Sequence, residues 1–338
     1  MKCCYCWLFW LALSLFAIVG CADSTTERSV EFQRVSNLLV RANACSRGSN
    51  GQRNLPEAIR LWTEAAKAGS PLAQHNLGGI YLRGEAGHTN LAKAAPWFRM
   101  AAERGFAPSQ RLLGIILEGG LGIEPNAVEA LYWYRKAAMQ GDPGAAYLLG
   151  ASLVEGRGGR GTNDLPEAVQ WLRRAVDASD GRAENDLGKL YLEGTGVAKD
   201  FDQAFKLFSK GAAKGISLAQ YNLALCYRSG KGTPKNPGEA AKWYRRSAEQ
   251  GHANAMAALS VCYLKGFGVE PDPVEAWRWL TLANQGDDLS IGIREQLKSE
   301  ELYQKVTPEQ RKQGAHLARG FVAKTDPLEP PLPWDSVR

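Results

Sequence analysis

The residues best placed to do chemistry are a recurring acidic series: Glu57, Glu129, Glu167, Glu239 and Glu275, with Lys93 and Gln203 at the equivalent positions of two further copies. Positioned carboxylates serve as general acids and bases in hydrolases. Each of these positions, however, follows an Asn or Asp by three residues: Asn54, Asn90, Asn126, Asp164, Asp200, Asn236 and Asp272. That spacing is a helix start signal. The Asx oxygen accepts a free backbone N–H, and a Glu or Gln three residues on can return the bond to the cap's own N–H. A residue type repeated in every copy at a helix start is architecture, so no catalytic residue is assigned.

Other chemistry is equally thin. His75, His88, His252 and His316 lie far apart and show no metal-ligand spacing. No nucleophile-elbow, Walker, dinucleotide or metalloprotease pattern is present. Pairs such as Gly194 and Gly196 follow helical stretches and not strands, so they read as turns instead of phosphate loops. Neither metal nor cofactor is expected.

The caps belong to a repeat. Leu77-Gly78, Leu113-Gly114, Leu149-Gly150, Leu187-Gly188, Leu223-Ala224 and Leu259-Ser260 recur at intervals of 36, 36, 38, 36 and 36 residues. A marker alanine (Ala58, Ala94, Ala130, Ala168, Ala204, Ala240, Ala276) keeps the same phase. Three residues after it stands Leu61, Trp97, Trp133, Trp171, Leu207, Trp243 or Trp279. Three columns in phase over seven copies establish an internal repeat. Each copy divides into two helices, the first ending at a glycine: Gly84, Gly120, Gly156, Gly194, Gly230 or Gly266. The small residue after the marker leucine lets the second helix approach closely. The two extra residues of the 38-residue interval fall in the Gly156–Asn163 loop.

Ala183, Leu187, Gly188, Tyr191, Gly194, Gly196, Val197 and Asp200 carry a pattern that resembles the Sel1-like repeat (SLR), a relative of the tetratricopeptide repeat (TPR). The copy with Ala255, Leu259, Tyr263, Gly266, Gly268, Val269 and Asp272 resembles it too. The resemblance implies an all-α, right-handed α-solenoid of seven helix-pair repeats over residues 35–287. Two further helices, Ile291–Lys305 and Thr307–Phe321, are expected as C-terminal capping helices within 288–323, followed by a flexible Pro-rich tail over 324–338. By the same resemblance the protein is an adaptor for other proteins. Some cysteine-rich relatives act on β-lactams, but the cysteines paired within each of their repeats are missing here. Cys226 and Cys262 share one column in neighbouring copies, where helix axes stand roughly 8–10 Å apart or more. A disulfide needs Cα atoms within about 7 Å, so two buried free thiols are expected.

The first twenty residues differ from the rest. Lys2 precedes an uncharged apolar run from Tyr5 to Val19, short of the roughly 20 residues that span a membrane, as in a signal peptide. Ile18-Val19-Gly20-Cys21 resembles the lipobox of bacterial lipoproteins, which implies cleavage before Cys21 and lipidation of its thiol. Residues 1–20 are thus expected as signal peptide and 21–34 as a linker. The resulting expectation is an envelope protein, lipid-anchored through Cys21, on the outer membrane facing the periplasm. The formal net charge of +6 is spread along the chain without basic runs interleaved with aromatics, which argues against nucleic acid.

Function should then lie where the repeats vary. By analogy with TPR arrays, the first helix of each copy lines a concave face, and its exposed column stands two residues before the marker leucine. That column reads His75, Arg111, Tyr147, Asn185 and Tyr221, then Ala257, and aromatics and Arg make good partner anchors. The leading expectation is a non-enzymatic protein-interaction scaffold for an envelope or secretion assembly. A glycan- or peptidoglycan-binding array is the alternative, and a β-lactam-interacting hydrolase-like protein ranks below both.

Overall fold

The computed structural model describes residues 28–48, 53–85, 87–157, 164–285 and 305–324, and the regular elements among them are helices. The expected signal segment, Cys21, most of the Gly156–Asn163 loop, nearly all of the helix over Ile291–Lys305 and most of the tail lie outside these residues. The chain forms two compact units, Met1–Asn126 and Ala127–Arg338.

The first unit contains α1 (28–47), α2 (Leu55–Lys67), α3 (Pro71–Leu82), α4 (Leu91–Glu103) and α5 (Ala107–Gly119). Helix α1 is already formed at residue 28, inside the stretch expected as a linker. The Glu31–Arg34 pair one turn apart favours this, as does an apolar stripe of Val35, Leu38, Leu39 and Ala42 packed against Ala58, Leu61 and Trp62. The second unit contains α6 (Ala127–Met139), α7 (Pro143–Val154), α8 (Leu165–Asp177), α9 (Gly181–Glu193), α10 (Phe201–Ala213), α11 (Ser217–Ser229), α12 (Pro237–Glu249), α13 (Ala253–Lys265), α14 (Pro273–Ala283) and α15 (Pro308–Ala318). Within it α7 packs on α8, α9 on α10, α11 on α12, α13 on α14 and α14 on α15.

The helix starts are built as expected at five copies. Asn54, Asn90, Asp200, Asn236 and Asp272 each accept from the backbone N–H three residues on. Such a cap contributes about 1 kcal/mol. Asp164 departs from the pattern: it has helical backbone angles and makes no side-chain cap bond. The expected return bond from Glu is replaced at several copies by better partners, because a cation or an indole N–H lies one turn ahead. The full reciprocal box forms at α15, between Thr307 and Gln310.

The marker glycines carry close packing. A Cβ on Gly188 would stand 2.8 Å from the Phe208 ring of α10. Phe208 is completely buried, as is Phe98 in α4, each stabilising by roughly 1.5–3 kcal/mol. The glycine two residues after the helix-ending one has a separate task. Gly268 has φ +75°, and a Cβ there would lie 2.0 Å from the carbonyl oxygen of Pro237, at the start of α12 in the preceding repeat. The Gly-x-Gly turn is therefore the contact through which one repeat stacks on the first turn of its predecessor's second helix.

Candidate partner interface

In the first unit, His75 is half-buried in α3 and hydrogen-bonds Ser109 Oγ at 2.9 Å. Its ring meets Phe98 and Phe106 edge-on at 5.6 and 5.1 Å. Burial first, then the charges of Arg111 and Arg83, lower its pKa to about 4, so it is neutral at pH 7. Arg111, in α5, is half-buried as well.

In the second unit, Tyr147 is packed under the Arg182 guanidinium, 4.3 Å from its ring centroid. Its hydroxyl bonds Asp186, and burial foremost raises its pKa. Asn185 is only 5% exposed. It donates to Asp186 Oδ1 at 3.1 Å and accepts from Asn222 Nδ2 at 2.9 Å. Tyr221 packs against Tyr244 and His252, at 5.8 and 4.9 Å.

The column two before the marker leucine is therefore not an exposed one, which corrects the expectation: its members are half-buried or buried, and Ala257 is fully packed. Neighbouring repeats approach closely enough to cover a position that a single helix would leave open. The polar groups that the fold assembles are Tyr147, Asp186, Asn185 and Asn222, linked across α7, α9 and α11. Asp186 and Asn222 stand immediately before the marker leucine and were missed. The signal available was polar Asn76, Asp186 and Asn222 in a column that elsewhere holds Leu112, Leu148 and Ala258. Asp186 has a raised pKa, caused by burial and opposed by bonds from Asn185 and Tyr147. A half-dry carboxylate with amide neighbours suits recognition of a donor on a partner.

A second missed column holds repeats together. Gln74, Gln110 and Gln220 donate through Nε2 to the carbonyls of Ala66, Ala102 and Ala212, at 3.1, 3.0 and 3.3 Å. Each clips a first helix to the C-terminal end of the preceding second helix, adding a bond to a carbonyl that also accepts the glycine N–H three residues on. Glu184 takes this place in α9 and pairs with Lys214 Nζ at 2.6 Å. Cys226 and Cys262 are free and buried, and burial pushes both thiols up to about 11, away from the reactive thiolate. Among the described residues, no group of three or more His, Cys, Asp or Glu could hold a metal ion.

Capped helix pairs that stack through small residues define an α-solenoid repeat protein. Seven consecutive segments, residues 42–70, 71–106, 107–142, 143–180, 181–216, 217–252 and 253–288, match the Sel1 repeat, and the chain belongs to the Sel1 repeat family. It is similar to a solved protective antigen present in uropathogenic Escherichia coli strains, which displays an SLR fold. Identity there is 29% and the TM-score 0.77, over 90% of this chain and 63% of the antigen. The chain thus spans less than two thirds of that relative. A Sel1 repeat protein from Oxalobacter formigenes is 36% identical with a TM-score of 0.66, over 75% of this chain and 99% of that one. A search of curated proteins found no match.

Proposed function

We propose that the chain is a non-enzymatic scaffold for protein partners, held on the bacterial outer membrane by a lipid on Cys21 and facing the periplasm, where it organises an envelope or secretion assembly. The observation that carries the reading is the uninterrupted run of Sel1 repeats, a family that commonly mediates protein–protein interaction. The lipobox-like ending at Cys21 supports the anchor. Among the described residues no helix is long and apolar enough to cross a membrane.

The polar ridge of Tyr147, Asp186, Asn185 and Asn222 is the first place to seek the partner. A photo-crosslinking residue at Asn222 in intact cells should capture a discrete protein, with capture lost in an Asp186→Ala background. No discrete adduct from this position or from Arg182 would sink the scaffold reading. The anchor has its own test: radiolabelled palmitate should enter the wild type and not Cys21→Ala. A glycan-binding array has less support, because Trp62, Trp133, Trp171 and Trp279 are at most 8% exposed and serve as packing.

A further inference from the structure

The helix-start glutamates differ from copy to copy in what they bond. Where the residue three positions on carries no cation, at Tyr132 and Gln170, the carboxylate accepts from the tryptophan four positions on. Trp133 Nε1 donates to Glu129 at 3.1 Å, and Trp171 Nε1 donates to Glu167 at 3.0 Å, on an oxygen that also accepts from Nε and Nη2 of Arg135 in the preceding repeat at 3.0 and 2.8 Å. Where the third position is Lys242 or Arg278, ahead of Trp243 and Trp279, that cation bonds the carboxylate. Trp243, beside Lys242, is only partly buried. Trp279 is 4% exposed, and its Nε1 has no acceptor among the described residues; nor has Nε of Arg278. Two buried donors beside one carboxylate, Glu275, thus go without an acceptor among the described residues, and leaving a donor unsatisfied is costly.

Beside them lies a cavity of about 510 Å³ whose walls include Arg245, Tyr263, Glu275, Arg278, Trp279 and Phe321. Residues 320–324 form one side and are pinned to α12, since the Lys324 N–H donates to the Glu249 carbonyl at 2.8 Å and Lys324 Nζ reaches the Glu249 carboxylate at 2.6 Å. Phe321 stands edge-on to Trp279 at 5.8 Å. Three cations, Arg245, Arg278 and Lys324, face two carboxylates, Glu249 and Glu275. Arg245 spends its guanidinium on a neutral group, the Tyr263 hydroxyl. The cavity is cationic, walled by aromatics and one acceptor short.

We propose that this cavity binds a carboxylate, which takes Arg278 and Arg245 and releases Glu275 to accept from Trp279 Nε1. A planar carboxylate matches the guanidinium fork. Release of Glu275 restores in this repeat the Glu–Trp bond already made at Trp133 and Trp171. The ligand class is a dicarboxylate or an acidic side chain of a partner, its carbons lying against Trp279 and Phe321. The site does not rest on the scaffold reading, and either can fail alone.

The test is a titration of the ¹⁵N-labelled full chain with sodium glutarate, ionic strength being held constant with sodium chloride. The indole N–H signal of Trp279, assigned by its loss in Trp279→Phe, should move downfield and saturate. Glu275→Gln removes the competitor for Arg278 and should tighten glutarate several-fold, an effect a purely structural Glu275 would not give. Arg245→Gln should weaken binding at least tenfold with an unchanged circular dichroism spectrum. A short acetylated Gly-Ala-Glu-Ala-Gly amide that displaces glutarate would assign the site to a partner's side chain, and failure to displace it would assign the site to free dicarboxylates. A non-saturating shift, an equal shift with sodium sulfate, or wild-type affinity in both Arg245→Gln and Glu275→Gln would overturn the proposal.

Discussion

His75 shows how a neighbouring repeat decides the chemistry of a single side chain. Free in an unfolded chain it titrates near pH 6.5, whereas between Phe98 and Phe106 its folded pKa is about 4. As pH falls from 6.5 to 4, the unfolded chain takes up a proton that the folded unit refuses. The contribution to stability is therefore complete above the unfolded value and is lost as pH falls through this window, by up to about 3 kcal/mol. Urea unfolding followed on α2–α5 between pH 7.5 and 4.5 should show that slope, and His75→Gln should flatten it. An unchanged slope in the variant would place the titration elsewhere. The caps offer a paired comparison at the same scale. Asp200 holds the N–H of Gln203 at 2.9 Å, so Asp200→Ala should cost about 1 kcal/mol. Asp164 makes no cap bond and its buried Oδ2 has no partner among the described residues, so Asp164→Ala should cost little or stabilise. Equal losses in thermal unfolding would show that the cap bond is not what distinguishes them.

At the scale of the helix, the repeat was readable because caps, marker leucines and glycines act locally and recur in phase. Asn236, Pro237 and Glu239 start α12 with no help from the rest of the fold, and Gly230 and Gly266 end helices because a positive φ is needed there. Exposure was not readable in the same way. Whether Asn185 is open or closed depends on how near α11 brings Asn222, a distance that no single-helix period contains. The partners of Glu167 likewise include Arg135 from the preceding copy, and those of Glu275 include Arg278 one turn ahead, a comparison between copies and not within one. The Gly188–Phe208 contact combines both kinds of information: the small residue is visible in the column, while its opposite number emerges from packing. Gly188→Val drives two methyl groups toward that ring. Overpacking of this sort costs typically 1–3 kcal/mol, and the helix-propensity gain over glycine recovers under about 1 kcal/mol. Net destabilisation in urea is the expected result, and Phe208→Leu should relieve part of it in the double variant. Additive losses would mean that the two side chains do not meet.

For the whole molecule, the consequence of stacking is that stability passes between neighbours and weakens with distance along the array. The second unit closes with α15, where Gly314 lies so close to α14 that a Cβ would stand 2.7 Å from the Val274 carbonyl oxygen and 3.0 Å from the Arg278 N. Arg311 also covers the Trp277 ring at 5.2 Å. Gly314→Val should wedge α15 away and uncover Trp279, Leu280 and Ala283 on α14, which are buried with Ala318 in one cluster. Hydrogen exchange read by mass spectrometry should then rise tenfold or more in α13 and α14. Helices α9 and α10, held by their own Gly188–Phe208 contact and by the Glu184–Lys214 pair, should exchange as in the wild type. Exchange rising equally in α9 and α10 would mean that the unit unfolds as one cooperative block, and that nearest-neighbour coupling does not govern it. With the gradient present, α15 is the element whose loss spreads inward one repeat at a time, which gives it the role that a capping helix must have in a repeat array.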